Sequence, residues 1–365
     1  MSMQTIVNRS PHPRTDAERA EILANPGFGT HFTDHMFVVE WTPESGWHNA
    51  RVDPYGPLTL DPATAVLHYA QEAFEGMKAY RHADGSIWTF RPEENAARMA
   101  RSCRRLALPE LPIDDFVAAV DALVEVDAAW VPDAEGEESL YLRPFAFASE
   151  AFLGVRSSRH VTFVVIASPA GAYFKGGIKP VTLWLSEHDA RAGRGGMGAA
   201  KTGGNYASSL AAQDEGYAHG CDQVVFLDAE ESAYVEELGG MNMFFVFADG
   251  HVVTPETGTI LEGITRKSII DMLRKDGHDV EERRFGIQEW RDGIASGDIT
   301  EIFACGTAAV ITPVGRLLSE HFGEIDAPAS QEVTMRLREE LVGLQFGRID
   351  DAFGWMHRVT GTSAG

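Results

Sequence analysis

Lys201 is the residue of this chain on which chemistry is most readily built. It stands in Gly195-Gly196-Met197-Gly198-Ala199-Ala200-Lys201-Thr202-Gly203-Gly204-Asn205-Tyr206, a single lysine between two runs of glycine. An amine is nucleophilic only when neutral, and burial among small apolar residues such as Ala199 and Ala200 disfavours its charged form. Glycines on both sides let the backbone come close to a flat ligand. The pattern points to a Schiff-base lysine, and by spacing alone it fits equally well a glycine-rich surface loop with a solvated lysine. It is not a phosphate loop, because Lys201 precedes Gly203 and Gly204 instead of following G-x-x-x-x-G.

Other residues are poised for anions. Residues 140–147 read as a strand, whose period of two puts Tyr141 and Arg143 on one side. An arginine in so apolar a strand is costly to bury without an anion, which is either a fixed carboxylate of the protein or a bound ligand. Ile264 and Thr265 precede an amphipathic stretch, where free N–H groups and a helix dipole make an anion seat or an ordinary helix start with Thr265 near the cap. Gly306-Thr307-Ala308 is a small-residue turn that either presents N–H groups to a phosphate or simply ends a strand. In the helix expected over 94–108, arginines stand at 98, 101, 104 and 105, most of them expected in water.

Lys201-Thr202-Gly203-Gly204-Asn205-Tyr206 resembles the cofactor-lysine motif of branched-chain aminotransferases, the fold-type IV pyridoxal-phosphate enzymes. Five further matches follow the family order: Phe74-Glu75-Gly76-Met77-Lys78, Ser139-Leu140-Tyr141-Leu142-Arg143-Pro144, Gly171-Ala172-Tyr173-Phe174, Glu237-Leu238-Gly239-Gly240-Met241-Asn242 and Cys305-Gly306-Thr307-Ala308. The resemblance runs from about Phe28 to Met356. It implies a two-domain α+β and α/β chain like D-amino-acid aminotransferase, with a small α/β domain and a larger domain carrying a pseudo-barrel of strands. It implies pyridoxal 5'-phosphate, with Lys201 forming the covalent link and shuttling the proton, Glu237 on the pyridine nitrogen and Tyr206 on the phenolic oxygen. Arg98, Ile264, Thr265 and Thr307 would share the phosphate.

The resemblance places the substrate carboxylate near Tyr69, Ala308 and Ala309. Phe28, Tyr69, Phe74, Tyr141 and Tyr173 would wall the side-chain pocket, and Arg143 would take the distal carboxylate of glutamate or 2-oxoglutarate. From the residues alone, Tyr173 and Tyr206 also read as packing tyrosines. Glu236 is expected in solvent. The implied reaction moves an amino group between L-leucine, L-isoleucine or L-valine and 2-oxoglutarate, in synthesis or breakdown of these amino acids. The implied assembly is a homodimer in which the loop around Gly154 and Val155 closes the neighbouring pocket. Two departures from the pattern stand out: Gly240 stands where some members carry a hydroxyl residue, and Ala309 and Thr312 where animal members have a cysteine pair. Other fold-type IV activities, a D-amino-acid aminotransferase or an aminodeoxychorismate lyase, and a non-catalytic carrier of the cofactor are the competing readings; Tyr141-Leu142-Arg143 with Phe74-Glu75-Gly76-Met77-Lys78 favours the branched-chain type.

The elements that must position these groups fit about two domains in 365 residues with 44% hydrophobic residues. We expect a polar arm over 1–27, a small domain over 28–169, a linker over 170–180 rich in Gly and Pro, and a cofactor domain over 181–365. Strands are expected over 36–41, 140–147, 161–167, 181–185, 223–227, 243–247, 252–254 and 299–304, and helices over 113–130, 206–215 and 330–344. Asp249-Gly250 signals a hairpin turn. A net charge of −23 repels nucleic acid and anionic membranes. Three cysteines without a C-x-x-C pattern give neither a disulfide framework nor a zinc site, so no metal is expected. No signal-peptide core and no run of about 18 apolar residues is found, which suits a cytoplasmic protein.

Overall fold

The structure is a computed structural model and describes residues 3–133, 136–172 and 177–359. The chain forms two compact units, one of Met1–Tyr173, Ala200–Gly203 and Val342–Gly365, the other of Phe174–Ala199 and Gly204–Leu341.

The first unit is built on a sheet whose strands run in the order Ile6–Val7, Gly46–Pro54, His35–Thr42, Val161–Ala170, Ser139–Ala148, Met77–Arg81, Ile87–Phe90 and Met356–Arg358, with Glu72–Phe74 also paired to Ser139–Ala148. Its longest ladder aligns Ser139 with Ala170 through to Ala148 with Val161, all antiparallel. The helices Pro92–Arg105 and Ile113–Val126 belong to the same core. Pro92 at the helix start, Glu93 and Glu94 in the first turn and Arg104 and Arg105 in the last suit the first helix to its dipole. Phe116 lies tilted against Phe163 at 5.7 Å between ring centres, and both are fully buried, each contributing about 1.5–3 kcal/mol.

Two sequence expectations change here. Residues 1–27 are more than a polar arm: Ile6–Val7 adds a parallel strand beside Gly46–Pro54, and Asp16–Ala24 is a helix closed by a reciprocal cap between Thr15 and Glu18. The expected 181–365 domain also loses two pieces, Ala200–Gly203 and everything from Val342 onward, to the first unit. The reason is local pairing: Phe74 N–H donates to Lys201 O, and Met356–Arg358 pairs with Ile87–Phe90.

The second unit carries a mixed sheet in the order Val280–Glu282, Val252–Thr254, Asn242–Phe247, Ile299–Gly306, Val310–Ser319, Val181–Ser186, Gln223–Leu227, Tyr234–Leu238 and Phe285–Gly286, with Gly323–Asp326 beside Val310–Ser319. Parallel pairing of Val181–Ser186 with both its neighbours breaks what otherwise reads as a meander. Gly250 takes φ +91 in the turn between Asn242–Phe247 and Val252–Thr254, a conformation that glycine adopts without a steric penalty. The helix expected over 206–215 is two, Gly203–Ala207 and Leu210–Ala218. Phe245 packs on Phe285 and Trp290 at the centre of this core.

Candidate active site

In the first unit Lys201 is held by its backbone. Its N–H donates to Ser102 Oγ at 2.9 Å, and its carbonyl accepts from Phe74 N–H at 3.0 Å. Its Nζ lies 4.9 Å from the centre of the Phe74 ring. Beyond it, Thr202 Oγ1 donates to Glu72 Oε1 at 3.3 Å, and Gly203 N–H donates to the same oxygen. Ala200 is buried as expected, whereas Ala199 is exposed, so only one of the two flanking alanines screens the lysine.

The same ring carries a second cation. Arg143 Cζ stands 4.8 Å from the centre of Phe74 and 5.5 Å from that of Tyr141, and its Nη2 donates to the Tyr141 hydroxyl at 3.2 Å. Its Nε is buried without a hydrogen-bond partner, and no ion pair to Arg143 is found among the described residues. The Glu72 carboxylate is near enough to feel its charge, and aromatic faces flank the guanidinium. Phe28 meets Tyr141 edge-on at 5.1 Å, so Phe28, Phe74, Tyr141 and Arg143 form one cluster. Gly76 has no room for a side chain, because a Cβ there would collide with the Tyr141 hydroxyl. Tyr69 is part exposed, with its hydroxyl donating to Leu153 O, and Leu153 and Val155 beside Gly154 are strongly exposed. Tyr173 lies outside the described residues.

Arg98 separates from the other arginines of its helix. It is buried, whereas Arg101, Arg104 and Arg105 are exposed. Its Nε and Nη2 form a two-pronged bond to Glu75 at 2.8 and 2.7 Å, and Asn95 Nδ2 donates to Glu75 Oε2 at 2.8 Å. That fork uses two of the five guanidinium donors and fixes the plane of the group.

In the second unit Glu237 is 2% exposed. Its Oε1 lies 2.6 Å from Arg191 Nη1 and accepts from Leu261 N–H at 3.2 Å, while Oε2 accepts from Asn242 Nδ2 at 3.4 Å. Arg191 is also buried, and its Cζ is 5.9 Å from the centre of the Tyr206 ring. Neither Arg191 Nε nor Arg191 Nη1 makes an aligned hydrogen bond. Tyr206 belongs to the helix Gly203–Ala207. Glu236 is not in solvent as expected: it is buried, accepts from the Thr259 hydroxyl, and borders a cavity of about 440 Å³ with Arg194, Tyr234 and Arg284. Burial raises its carboxyl pKa above the ordinary value.

Ile264 and Thr265 open the helix Ile264–Lys275, whose N-cap is Gly263 with no side-chain cap bond. Thr265 is thus inside the first turn and does not cap it. Asn242 packs so closely on Gly263 that a Cβ there would strike Asn242 Oδ1, which ties the Glu237 bed to this helix start. Thr307, Ala308 and Ala309 make the tight turn between Ile299–Gly306 and Val310–Ser319, where Gly306 pairs with Val310. Thr312 is fully buried with an unpartnered hydroxyl. Cys103, Cys221 and Cys305 are free and buried, and burial pushes the Cys103 and Cys305 thiols up to about 12.

Residues 72–317, more than half of the chain, match the sequence model described as Amino-transferase class IV. The chain belongs to the class IV amino-transferases. A probable branched-chain-amino-acid aminotransferase of Streptomyces coelicolor is 57% identical to this class IV chain over 96% of its length and 97% of the relative's. Among solved structures, the branched-chain amino acid aminotransferase of Escherichia coli superposes with TM-score 0.74 at 27% identity, covering 89% of this chain and 99% of the other. A second branched-chain amino acid aminotransferase, solved in complex with N-(5'-phosphopyridoxyl)-L-glutamate, superposes with TM-score 0.71 at 29% identity, covering 88% and 98%. That of the thermophilic archaeon Thermoproteus uzoniensis, solved with norvaline, superposes with TM-score 0.73 at 25% identity, covering 89% and 99%. The two sheets with their helices are thus the fold of the class IV amino-transferases, and the chain is an aminotransferase enzyme.

The partners of the candidate residues leave little trace in the sequence. Arg191 stands in Glu187-His188-Asp189-Ala190-Arg191-Ala192-Gly193-Arg194, where nothing distinguishes it from Arg194, yet Arg191 is buried and Arg194 exposed. Ser102 and Glu72 carry no signal either, and Glu75 and Asn242 are visible only as letters of motifs.

Proposed function

We propose that this aminotransferase acts on branched-chain amino acids, moving the amino group reversibly between L-leucine, L-isoleucine or L-valine and 2-oxoglutarate with pyridoxal 5'-phosphate as carrier. The observation that carries the reading is the Phe74 ring, with the Lys201 amine and the Arg143 guanidinium both within 5 Å of its centre. An amine able to attack a carbonyl carbon and a guanidinium awaiting an anion are the two groups needed to react with an amino acid and to recognise a dicarboxylic one.

The residues suit the cofactor. Buried Arg191, paired to Glu237 and near the Tyr206 ring, with its Nε lacking a protein acceptor, supports a polar, planar ligand beside these residues. When bound, pyridoxal phosphate supplies the electron sink for the carbanion at the substrate α-carbon. Glu237 would hold the proton on the ring nitrogen and Tyr206 would orient the phenolic oxygen. Arg98, the first-turn N–H groups at Ile264 and Thr265, and Thr307 would bind the phosphate, each charge-assisted bond worth roughly 1.5–3 kcal/mol. Lys201 Nζ would take the proton from the substrate α-carbon and return it one position along. Phe28, Tyr69, Phe74, Tyr141 and Tyr173 would exclude water around the aliphatic side chain, with Tyr69, Ala308 and Ala309 at its carboxylate, and Arg143 would bind the distal carboxylate when glutamate or 2-oxoglutarate takes its turn.

The exposed Leu153-Gly154-Val155 segment supports a homodimer in which it covers the neighbouring pocket. Free buried thiols support a reducing, cytoplasmic setting, and no helix of the described residues is long and apolar enough to cross a membrane. The test is incubation of the cofactor-saturated protein with L-leucine and 2-oxoglutarate. Formation of glutamate is expected; turnover of D-alanine or aminodeoxychorismate in its place would overturn the substrate assignment.

A further inference from the structure

The contacts around Lys201 in the first unit close on themselves. Lys201 O accepts from Phe74 N–H at 3.0 Å, and the next residue, Glu75, grips the Arg98 guanidinium through both carboxylate oxygens. Arg98 O accepts from Ser102 Oγ at 3.0 Å, one helical turn on, and Ser102 Oγ accepts from Lys201 N–H at 2.9 Å. The path therefore runs from Lys201 through Phe74, Glu75, Arg98 and Ser102 back to Lys201. Ser102 and Glu75 are both fully buried, so neither link competes with water. The Ser102 hydroxyl spends its one proton on the helix, which turns its lone pair toward the lysine. Outside the ring, Glu72 Oε1 fastens the next two residues, and a Cβ on Gly203 would stand only 2.5 Å from that oxygen.

We infer that Ser102 and Glu72 are positioning residues, which lock the backbone of the Lys201 segment to the Arg98 helix and so set the distance between the covalent anchor and the phosphate anchor of the cofactor. This rests on the roles given to Lys201 and Arg98 under the proposed function. A lysine side chain has a flexible four-carbon stem between backbone and amine, so a backbone free to shift would spread Nζ over several positions. With its N–H and carbonyl both taken, the root of the side chain is fixed. The amine can then leave and return to one place during turnover. Glu72 works here as an acceptor through Oε1, with burial pushing its carboxyl above the ordinary value.

The test uses full-length, cofactor-loaded protein and the variants Ser102→Ala, Glu72→Ala and Glu72→Gln. For Ser102→Ala and Glu72→Ala, hydrogen exchange over residues 198–206 should quicken by about tenfold or more. Their kcat should fall about 10- to 100-fold with little change in the KM for L-leucine. Glu72→Gln keeps the accepting oxygen and should behave as the parent in both measurements. Unchanged exchange, faster exchange with unchanged kcat, or a Glu72→Gln as impaired as Glu72→Ala would each overturn the inference. If Ser102→Ala fails to fold, the two Glu72 variants decide it. The parent protein is treated with borohydride in parallel: no pyridoxyl group on Lys201 would remove the functional reading, while the exchange data would still judge the lock itself.

Discussion

Lys201 and Glu237 are held in opposite ways. The first is gripped by its main chain, through Ser102 and Phe74. The second is gripped by its carboxylate, between Arg191, Asn242 and the Leu261 N–H. The contrast matches the work proposed for each. A lysine that bonds, lets go and carries a proton needs a fixed root and a mobile tip; a carboxylate that keeps one proton in place needs a fixed charge.

Replacing Lys201 should separate the two beds most sharply. Lys201→Ala keeps the N–H and carbonyl that Ser102 and Phe74 use, so its melting temperature should stay near that of the parent. Its transamination should fall by on the order of 10³-fold or more, with no borohydride-fixed cofactor. A variant that melted far below the parent would break the contrast.

The opposite result is expected for Arg191→Met. It leaves Glu237 buried with an uncompensated charge, which should cost about 3–5 kcal/mol in denaturant unfolding. Adding Glu237→Gln should restore much of that stability. Equal stabilities of the single and double variants would show that the pair does not depend on its charges.

Arg143→Gln sharpens the comparison within the first unit. Arg143 lies against aromatic faces and forms no ion pair among the described residues, so the fold should tolerate its loss. The KM for 2-oxoglutarate should rise more than about tenfold, from a lost charge-assisted bond of roughly 1.5–3 kcal/mol, while the KM for L-leucine changes far less. Equal effects on both substrates would remove Arg143 from the distal-carboxylate site.

The smallest effect belongs to Glu236, the neighbour of Glu237 with its pKa raised by burial. A carboxyl whose folded pKa lies above its unfolded one binds the proton more tightly when folded. Its share of stability is therefore present at acid pH and is lost as pH rises from the unfolded value through the folded one. Glu236→Gln should melt higher than the parent at about pH 7, and the gain should vanish near about pH 4. A constant difference across that range would mean that ionisation of Glu236 plays no part.

What could be read in advance follows from range in sequence. The apolar runs 161–167 and 223–227 declare strands by themselves, and Val161–Ala170 and Gln223–Leu227 are strands. The helix over 113–130 announced itself by its apolar stripe and ends at Val126, with Ala128–Trp130 a separate short turn. Motifs carried the candidate site residues for the same reason, since each is a local string. The partners were not legible because they meet their targets across long separations: Ser102 reaches Lys201 over 99 positions, and Arg191 reaches Glu237 from a polar stretch with no periodicity. The capping pair Thr15 and Glu18 is a local signal too, masked by surrounding residues whose polar composition looks like a tail.

The short strand Met356–Arg358 closes one margin of the first sheet by covering Ile87–Phe90. Shortening the protein before Met356 would leave Ile87, Trp88 and Phe90 on a bare ribbon, and such ribbons recruit the nearest other chain, which in a concentrated solution means clumping. Affinity tags and fusion partners therefore belong after this strand, never in its place.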